Sequence, residues 1–409
     1  MDPRIDSREA WVIAMATLVI LAISFGAPHI VNVALKQIAQ ELGGQRSVPS
    51  AANALSWFGT GFGGLAMGWV ADRFGIRWTV MGGAIMVCLG LVISSGGEAW
   101  HLYLGHGLFM GLLGNAGINA PLYVYVTRWF EQRRGTAVAL IASGQYMAGA
   151  IWPPMFERVI AEIGWRQTMV GFGFVIVALV LPLAAIFLKS PPKIPEGSGA
   201  TVPGQQPGRV FGLPSSVVFV ALSLASFLCC VPMAMPQAHL IAFCGDLGLA
   251  TSRGAAMLSL LLVCAFFSRQ FWGWMSDRIG GLATLVTCSA AQAVAITGFL
   301  LTEDEAGLFF VAVAFGLGFS GLIPAYILTA RQLFPAREAS WRMPMLLLTG
   351  TAGMATGGWS AGVIYDAFGS YYPAFATGLA ANVANFVILA GLLIASLRKR
   401  AMQPAIPAT

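Results

Sequence analysis

Charge is what this chain has least of. Only 10% of its 409 residues are Asp, Glu, Lys or Arg, against roughly 25% in a typical soluble protein. Acidic residues are absent from the middle of every long apolar run, and few polar stretches are long enough to hold a soluble domain. A phosphate-cradling glycine loop, a His/Cys/Asp cluster at metal-ligand spacing and a nucleophile–base signature are all missing. An ATP-driven pump or a membrane enzyme is therefore unsupported, and neither a metal nor a cofactor is expected. The six cysteines (Cys88, Cys229, Cys230, Cys244, Cys264, Cys288) contain no CxxC pair and sit in or beside apolar runs. They read as small packing residues.

What is present is hydrocarbon. Hydrophobic residues make up 57% of the chain, and they fall in runs of about 20, the length a helix needs to cross roughly 30 Å of bilayer. Twelve spans are predicted, at about 11–35, 51–71, 78–97, 101–127, 135–160, 167–188, 215–243, 253–276, 281–301, 306–330, 343–365 and 371–397. The first run is too long for a signal-peptide core, and no clear small-residue cleavage site follows it.

The net charge of +6 does not point to nucleic acid. Seventeen of the 23 Lys and Arg fall on one side of the twelve-span arrangement, among them Arg4, Arg8, Arg73, Arg77, Arg128 and Arg398. Five (Lys36, Arg46, Arg158, Arg166, Arg253) fall in the opposite loops. By the positive-inside rule both termini and the central loop are cytoplasmic. Compact loops suggest a bacterial inner membrane. That central loop, about 189–214, carries Pro, Gly, Ser and Gln, and reads as a flexible linker. It separates a six-helix bundle at 1–188 from a second at 215–409.

The two halves repeat. Gly273-Trp274-Met275-Ser276-Asp277-Arg278-Ile279-Gly280 follows Gly68-Trp69-Val70-Ala71-Asp72-Arg73-Phe74-Gly75 by 205 positions. Gly164 and Gly369 are spaced by the same 205. Pro28 and Pro232, and Pro121 and Pro324, lie at near-equivalent places in the two halves. Paired helix interruptions of this kind point to a binding site at the bilayer midplane between repeats. Glycines crowd spans 2, 4, 5 and 11, where they allow close helix approach.

Together these features identify the chain as resembling a major facilitator superfamily transporter. The loop signature Gly-x-x-x-Asp-Arg-x-Gly-x-Arg runs complete from Gly68 to Arg77 and recurs in part after span 8. Within the superfamily the chain is similar to the monocarboxylate porter and oxalate/formate antiporter group. The segments that carry this are Ser24-Phe25-Gly26-Ala27-Pro28-His29 to Lys36, Asn119-Ala120-Pro121 to Gly135, and Ser268-Arg269-Gln270-Phe271-Trp272-Gly273. The resemblance implies that Arg269 binds a substrate carboxylate. It also implies that Gly68, Asp72, Arg73, Gly75, Arg77, Gly273, Asp277, Arg278 and Gly280 form a conformational motif. The chain departs from the group at Ala265, where mammalian-type members have aspartate, and at His29, where lysine often stands. Gly350 aligns with the second basic residue of the oxalate antiporter.

The residues support an anion reading on their own. Arg269 lies eight residues before Asp277, about 12 Å deeper along a helix and so near the midplane. With no mid-span carboxylate to pair with, its fork suits a substrate carboxylate. The alternative is an arginine satisfied by carbonyls or reaching to the membrane edge. His29 is among the few groups able to titrate near neutral pH, and is a candidate for proton coupling or substrate contact. Asn119, Tyr123, Tyr146 and Tyr326 are further candidates to orient substrate. His106 and His239 read better as packing or interface residues.

The expectation is a monomeric secondary carrier of small organic monoanions, such as lactate- or pyruvate-like acids. It works by alternating access, coupled to protons or exchanging anions. An exporter of amphipathic compounds is the alternative carrier reading, and a non-transporting membrane sensor the alternative outside carriers.

Overall fold

Hydrocarbon offers backbone N–H and C=O groups no water, so each must be satisfied within its own segment. The chain responds with helix almost throughout. The computed structural model describes residues 4–191 and 209–401. The first half comprises α1 (Arg8–Ser24), α2 (Ala27–Val33), α3 (Leu35–Glu41), α4 (Ser47–Phe74), α5 (Ile76–Ser94) and α6 (Ala99–Leu104). A π-helix (Gly105–Asn115), α7 (Ala116–Thr127), α8 (Arg134–Ala142) and α9 (Gly144–Phe187) complete it. The second half comprises α10 (Ser215–Asp246), α11 (Thr251–Ile279), α12 (Gly281–Leu301), α13 (Glu305–Phe319), α14 (Leu322–Leu333), α15 (Ala336–Phe368) and α16 (Tyr372–Ala401).

These helices make twelve membrane crossings in two six-crossing bundles. Eight segments are long and apolar enough to cross on composition alone, and one of them, 135–187, folds back at Gly164 (φ 80°, ψ 163°) to count twice. The others are α4, α15 and the broken rod 99–127. All three are diluted by glycine and hydroxyl residues. Two of them, α4 and α15, pack on each other across the bundle boundary, where such residues face protein rather than lipid. The other extensive cross-boundary pair is α9 with α11, and α10 also meets α2 and α3.

The repeated motif has a repeated shape. Gly75 (φ 89°, ψ 149°) ends α4, and Gly280 (φ 86°, ψ 157°) ends α11 in the same left-handed backbone, which a side chain rarely adopts. Arg73 lies over the Trp69 ring at 5.4 Å and Arg278 over Trp274 at 4.0 Å. Asp72 accepts from Arg128 at 2.9 Å, tying α4 to the end of α7.

The paired prolines do not produce paired breaks. The first crossing is interrupted at Phe25–Gly26, and Pro28 sits in the first turn of α2. The reason is packing: a Cβ on Gly26 would stand 2.6 Å from Cδ1 of Trp152. The carbonyl of Ala22, freed at the break, accepts instead from the Trp152 indole at 2.8 Å. Its counterpart α10 runs unbroken through Pro232 and Pro236. Pro121 lies inside α7, after the π-helix, and Pro324 in the first turn of α14.

Residues 192–208 of the expected linker lie outside the described residues. Its end is not coil: Arg209–Val210 pairs antiparallel with Leu213–Pro214. On the motif face Asp6 accepts from the backbone N–H groups of Glu131, Gln132 and Arg133 at 3.2, 3.0 and 3.4 Å. Burial opposes its charge. N–H donation from Gln132, Glu131 and Arg133, with the Arg133 charge, outweighs burial and holds the carboxyl below the usual carboxylate range. A depressed folded pKa means the clip is fully formed above the ordinary carboxylate pKa and is lost as pH falls through the lowered value. Hydrogen exchange at residues 131–133 should therefore be slow at neutral pH and rise in strong acid. Asp6→Ala should exchange fast at both.

Candidate substrate site between the bundles

Arg269 projects from α11 ten residues before the helix ends at Ile279, about 15 Å along the axis. It is 7% exposed. Its Nη2 donates to the Tyr146 hydroxyl at 2.8 Å, and its guanidinium lies 4.3 Å from the centroid of the same ring. Tyr146 is held in turn by an edge-to-face contact with Phe319. Among the described residues no carboxylate lies within ion-pair distance of Arg269, and its buried Nε has no hydrogen-bond partner. The guanidinium is thus oriented by a neutral phenol and carries its charge uncompensated, at the boundary between α9 and α11.

Other candidates gather around it. Tyr123 lies within electrostatic reach of both Arg269 and Tyr146. Asn119 is one helical turn before Tyr123 on α7, and its Oδ1 faces Gln145 Nε2 at 3.5 Å. Gln145 is the neighbour of Tyr146 on α9. His29 packs over Gly149, where a Cβ would lie 3.0 Å from its ring. Since Gly149 is three residues beyond Tyr146, the imidazole sits about one turn farther from the motif face than the arginine. The buried Nδ1 of His29 has no partner among the described residues. Tyr326 is directed elsewhere: its hydroxyl donates to Asn385 Oδ1 at 2.9 Å inside the second bundle, beside Ser289 and Asn382. His106 likewise stays inside the first bundle, bonded to Ser94.

Away from the motif face the site is sealed in layers. Leu262 of α11 covers Gly149, and Ser259 donates to the Ala150 carbonyl. Asn53 donates to Asn32 at 3.1 Å, and Asn32 to the Gln237 carbonyl at 3.3 Å, crossing the boundary through amides. Beyond them His239 bonds Tyr371 at 2.9 Å, the Gly358 carbonyl at 2.8 Å and Ser50 at 3.4 Å. Because a carbonyl only accepts, Nε2 of neutral His239 carries the proton and Nδ1 accepts from the Tyr371 hydroxyl. The outermost layer is ionic: Arg46 and Lys36 on Asp246. On the motif face the ion pairs Asp72–Arg128, Glu9–Lys189 and Glu338–Arg342 each stay within one bundle. The described structure is closed opposite the motifs.

Two bundles meeting over one central site, with a repeated Gly-x-x-x-Asp-Arg end on each, define the lineage. Residues 13–302 match the Major Facilitator Superfamily. The chain belongs to that superfamily. It is 28% identical over 319 residues to MFS transporter asaE of Aspergillus flavus, covering 76% of this chain and 69% of that one. It is 24% identical over 394 residues to monocarboxylate transporter 13 of Rattus norvegicus, covering 94% and 88%. In fold it is similar to a bacterial homologue of the human lysosomal transporter Spinster, in an inward-facing, unoccupied conformation. That match has a TM-score of 0.65 and 16% identity, and covers 96% of both chains. A superfamily member of this build is a multi-pass membrane transporter of small molecules, not an enzyme.

For this superfamily transporter, Gln145, Asn32, Asn53 and Gln237 are site or seal residues that the sequence reading passed over. An amide in a span was the available signal, since a buried amide needs a partner. Tyr146→Phe removes one hydrogen bond to a charged group and keeps the ring beneath it. A rise in substrate KM of about 10-fold with little change in the maximal rate is expected. Uptake kinetics check it.

Proposed function

We propose that the chain carries small organic monoanions across the membrane by alternating access, with the carboxylate bound to Arg269. The observation that carries this is a buried guanidinium, pre-oriented by Tyr146, whose charge has no carboxylate partner among the described residues. Holding such a charge near the midplane costs at least about 2.5–3.5 kcal/mol on insertion scales, which a bound anion offsets. Bidentate pairing orients the carboxylate. Tyr123, Asn119 and Gln145 supply neutral donors for an α-substituent, and the mammalian relatives named monocarboxylate transporters support the same class. One fixed charge fits one carboxylate. A dianion would want a second, and Gly350 contributes none.

His29 is the coupling group on this reading, taking a proton as substrate binds one turn away. The units that rock about the site are 1–188 and 215–409. The motif face and both termini are cytoplasmic, the membrane is a bacterial inner membrane, and the carrier acts as a monomer. The test is uptake into proteoliposomes of radiolabelled lactate, pyruvate, oxalate, formate and larger aromatic acids, with and without a pH gradient. Monocarboxylate uptake with substrate-driven internal acidification is expected. Preference for uncharged or cationic amphiphiles would overturn the reading. His29→Ala should abolish the acidification while leaving counterflow of the same anion.

A further inference from the structure

All the ionic contacts between the bundles lie, among the described residues, on the face opposite the motifs, and they converge on two carboxylates. Asp246, the last residue of α10, takes Nη1 and Nη2 of Arg46 at 2.5 and 2.7 Å and Nζ of Lys36 at 2.7 Å. Both cations belong to the first bundle. Arg46 also lies against two rings of the second, its guanidinium 3.6 Å from the Tyr365 ring centroid and 5.2 Å from that of Tyr371. Asp366, near the end of α15, works differently. Its two oxygens accept from the backbone N–H groups of Arg46 and Ser47 at 2.8 and 2.9 Å. Those are free donors at the start of α4, which has no side-chain cap of its own. A carboxylate of one bundle therefore caps a helix of the other, where the helix dipole also favours negative charge. A Cβ at Gly362, one turn before Asp366, would meet Ser50 Oγ at 2.6 Å, so close helix approach is needed for the carboxylate to reach its donors.

We propose that Asp246 and Asp366 form a two-part latch that holds the face opposite the motifs shut, and that both parts must release before a solute reaches Arg269 from that face. Release leaves two cations without a counter-ion and two backbone N–H groups without an acceptor, so water must enter to replace them. The latch makes this closed state the resting one. It also returns Lys36 and Arg46 as exposed positive charge at the mouth of the opened cavity. The inference rests on the two-bundle alternating-access reading and not on which solute is carried.

The experiment reads conformation without substrate. Hydrogen exchange is followed in the full-length protein in nanodiscs for wild type, Asp246→Asn, Asp366→Asn, Lys36→Gln and the exchange pair Arg46→Asp with Asp246→Arg. Loss of a charge-assisted contact should raise exchange about 10-fold at residues 46–56 and 237–249 and slow it at the motif ends of α4 and α11. Lys36→Gln, at a half-exposed position, should give the same pattern more weakly. The exchange pair should return both faces towards wild type. Unchanged exchange, an equal rise on both faces, or an exchange pair no better than Asp246→Asn would each overturn the latch. Uptake plays no part, so an error in the substrate assignment leaves this result intact.

Discussion

Arg269→Ala is expected to abolish carboxylate binding while leaving the protein folded, and to raise its thermal stability. Both effects have one cause. In the substrate-free site the guanidinium is buried against a phenol, with Nε unpaired and no carboxylate in range among the described residues. Such a charge destabilises the empty protein. Truncating one partner of a buried ion pair typically costs about 2–5 kcal/mol, which is a loss of roughly 30- to several-thousand-fold in affinity. Arg269→Lys keeps the charge and loses both the fork and the stacking on Tyr146, so an intermediate loss is expected. An arginine with a purely structural role would give the opposite pattern: lower stability on truncation and unaltered substrate affinity. Thermal unfolding with and without lactate, run in parallel with uptake, separates the two.

Gly149→Phe is expected to stop transport with Arg269 intact. Gly149 lies where α9 meets α11 beyond the site. A Cβ there would lie 2.1 Å from Leu262 Cδ1 and 3.0 Å from the His29 ring. A single methyl is tolerable, because the tip of Leu262 can rotate away, and Gly149→Ala should keep much of the activity. A phenyl ring cannot be absorbed in this way. It would wedge α9 from α11, separate Ser259 from the Ala150 carbonyl and displace His29. The bundles could then no longer close on the face opposite the motifs, so uptake should fall to background. Solute bound at Arg269 should remain accessible from that face. Hydrogen exchange at residues 255–262 should rise, and exchange inside the second bundle, around Asn382 and Asn385, should not.

Much of this architecture could be read from the sequence because membrane constraints are coarse and local. Twelve runs of the right length, the 205-residue repeat and the lopsided Lys and Arg distribution each follow from rules about single helices. Arg269 stood out for the same reason: a charge inside an apolar run is an exception that needs a partner. The Tyr146 contact was partly visible, as a mid-span tyrosine, but its bond to Arg269 depends on how α9 crosses α11. Tyr326 illustrates the limit. It looked equivalent to Tyr146 as a mid-span phenol, yet the packing of α14 turns its hydroxyl to Asn385. The seal was hidden altogether. Lys36 and Arg46 read as ordinary loop charges and Asp246 and Asp366 drew no attention, and only the meeting of α10 and α15 with the start of α4 makes them partners. Proline spacing misled in one respect, since Pro232 leaves α10 unbroken. The first crossing breaks because Trp152 packs on Gly26, a tertiary cause with no local signature.

The central claim is that a negative charge on the substrate meets the positive charge of Arg269. The most direct measurement is binding of lactate and of its neutral amide, lactamide, by calorimetry to wild type and Arg269→Ala. The two ligands share shape and differ in the charged group. Lactate should bind wild type, lactamide should not bind measurably, and Arg269→Ala should bind neither. Equal binding of acid and amide, or lactate affinity unchanged in Arg269→Ala, would contradict the account.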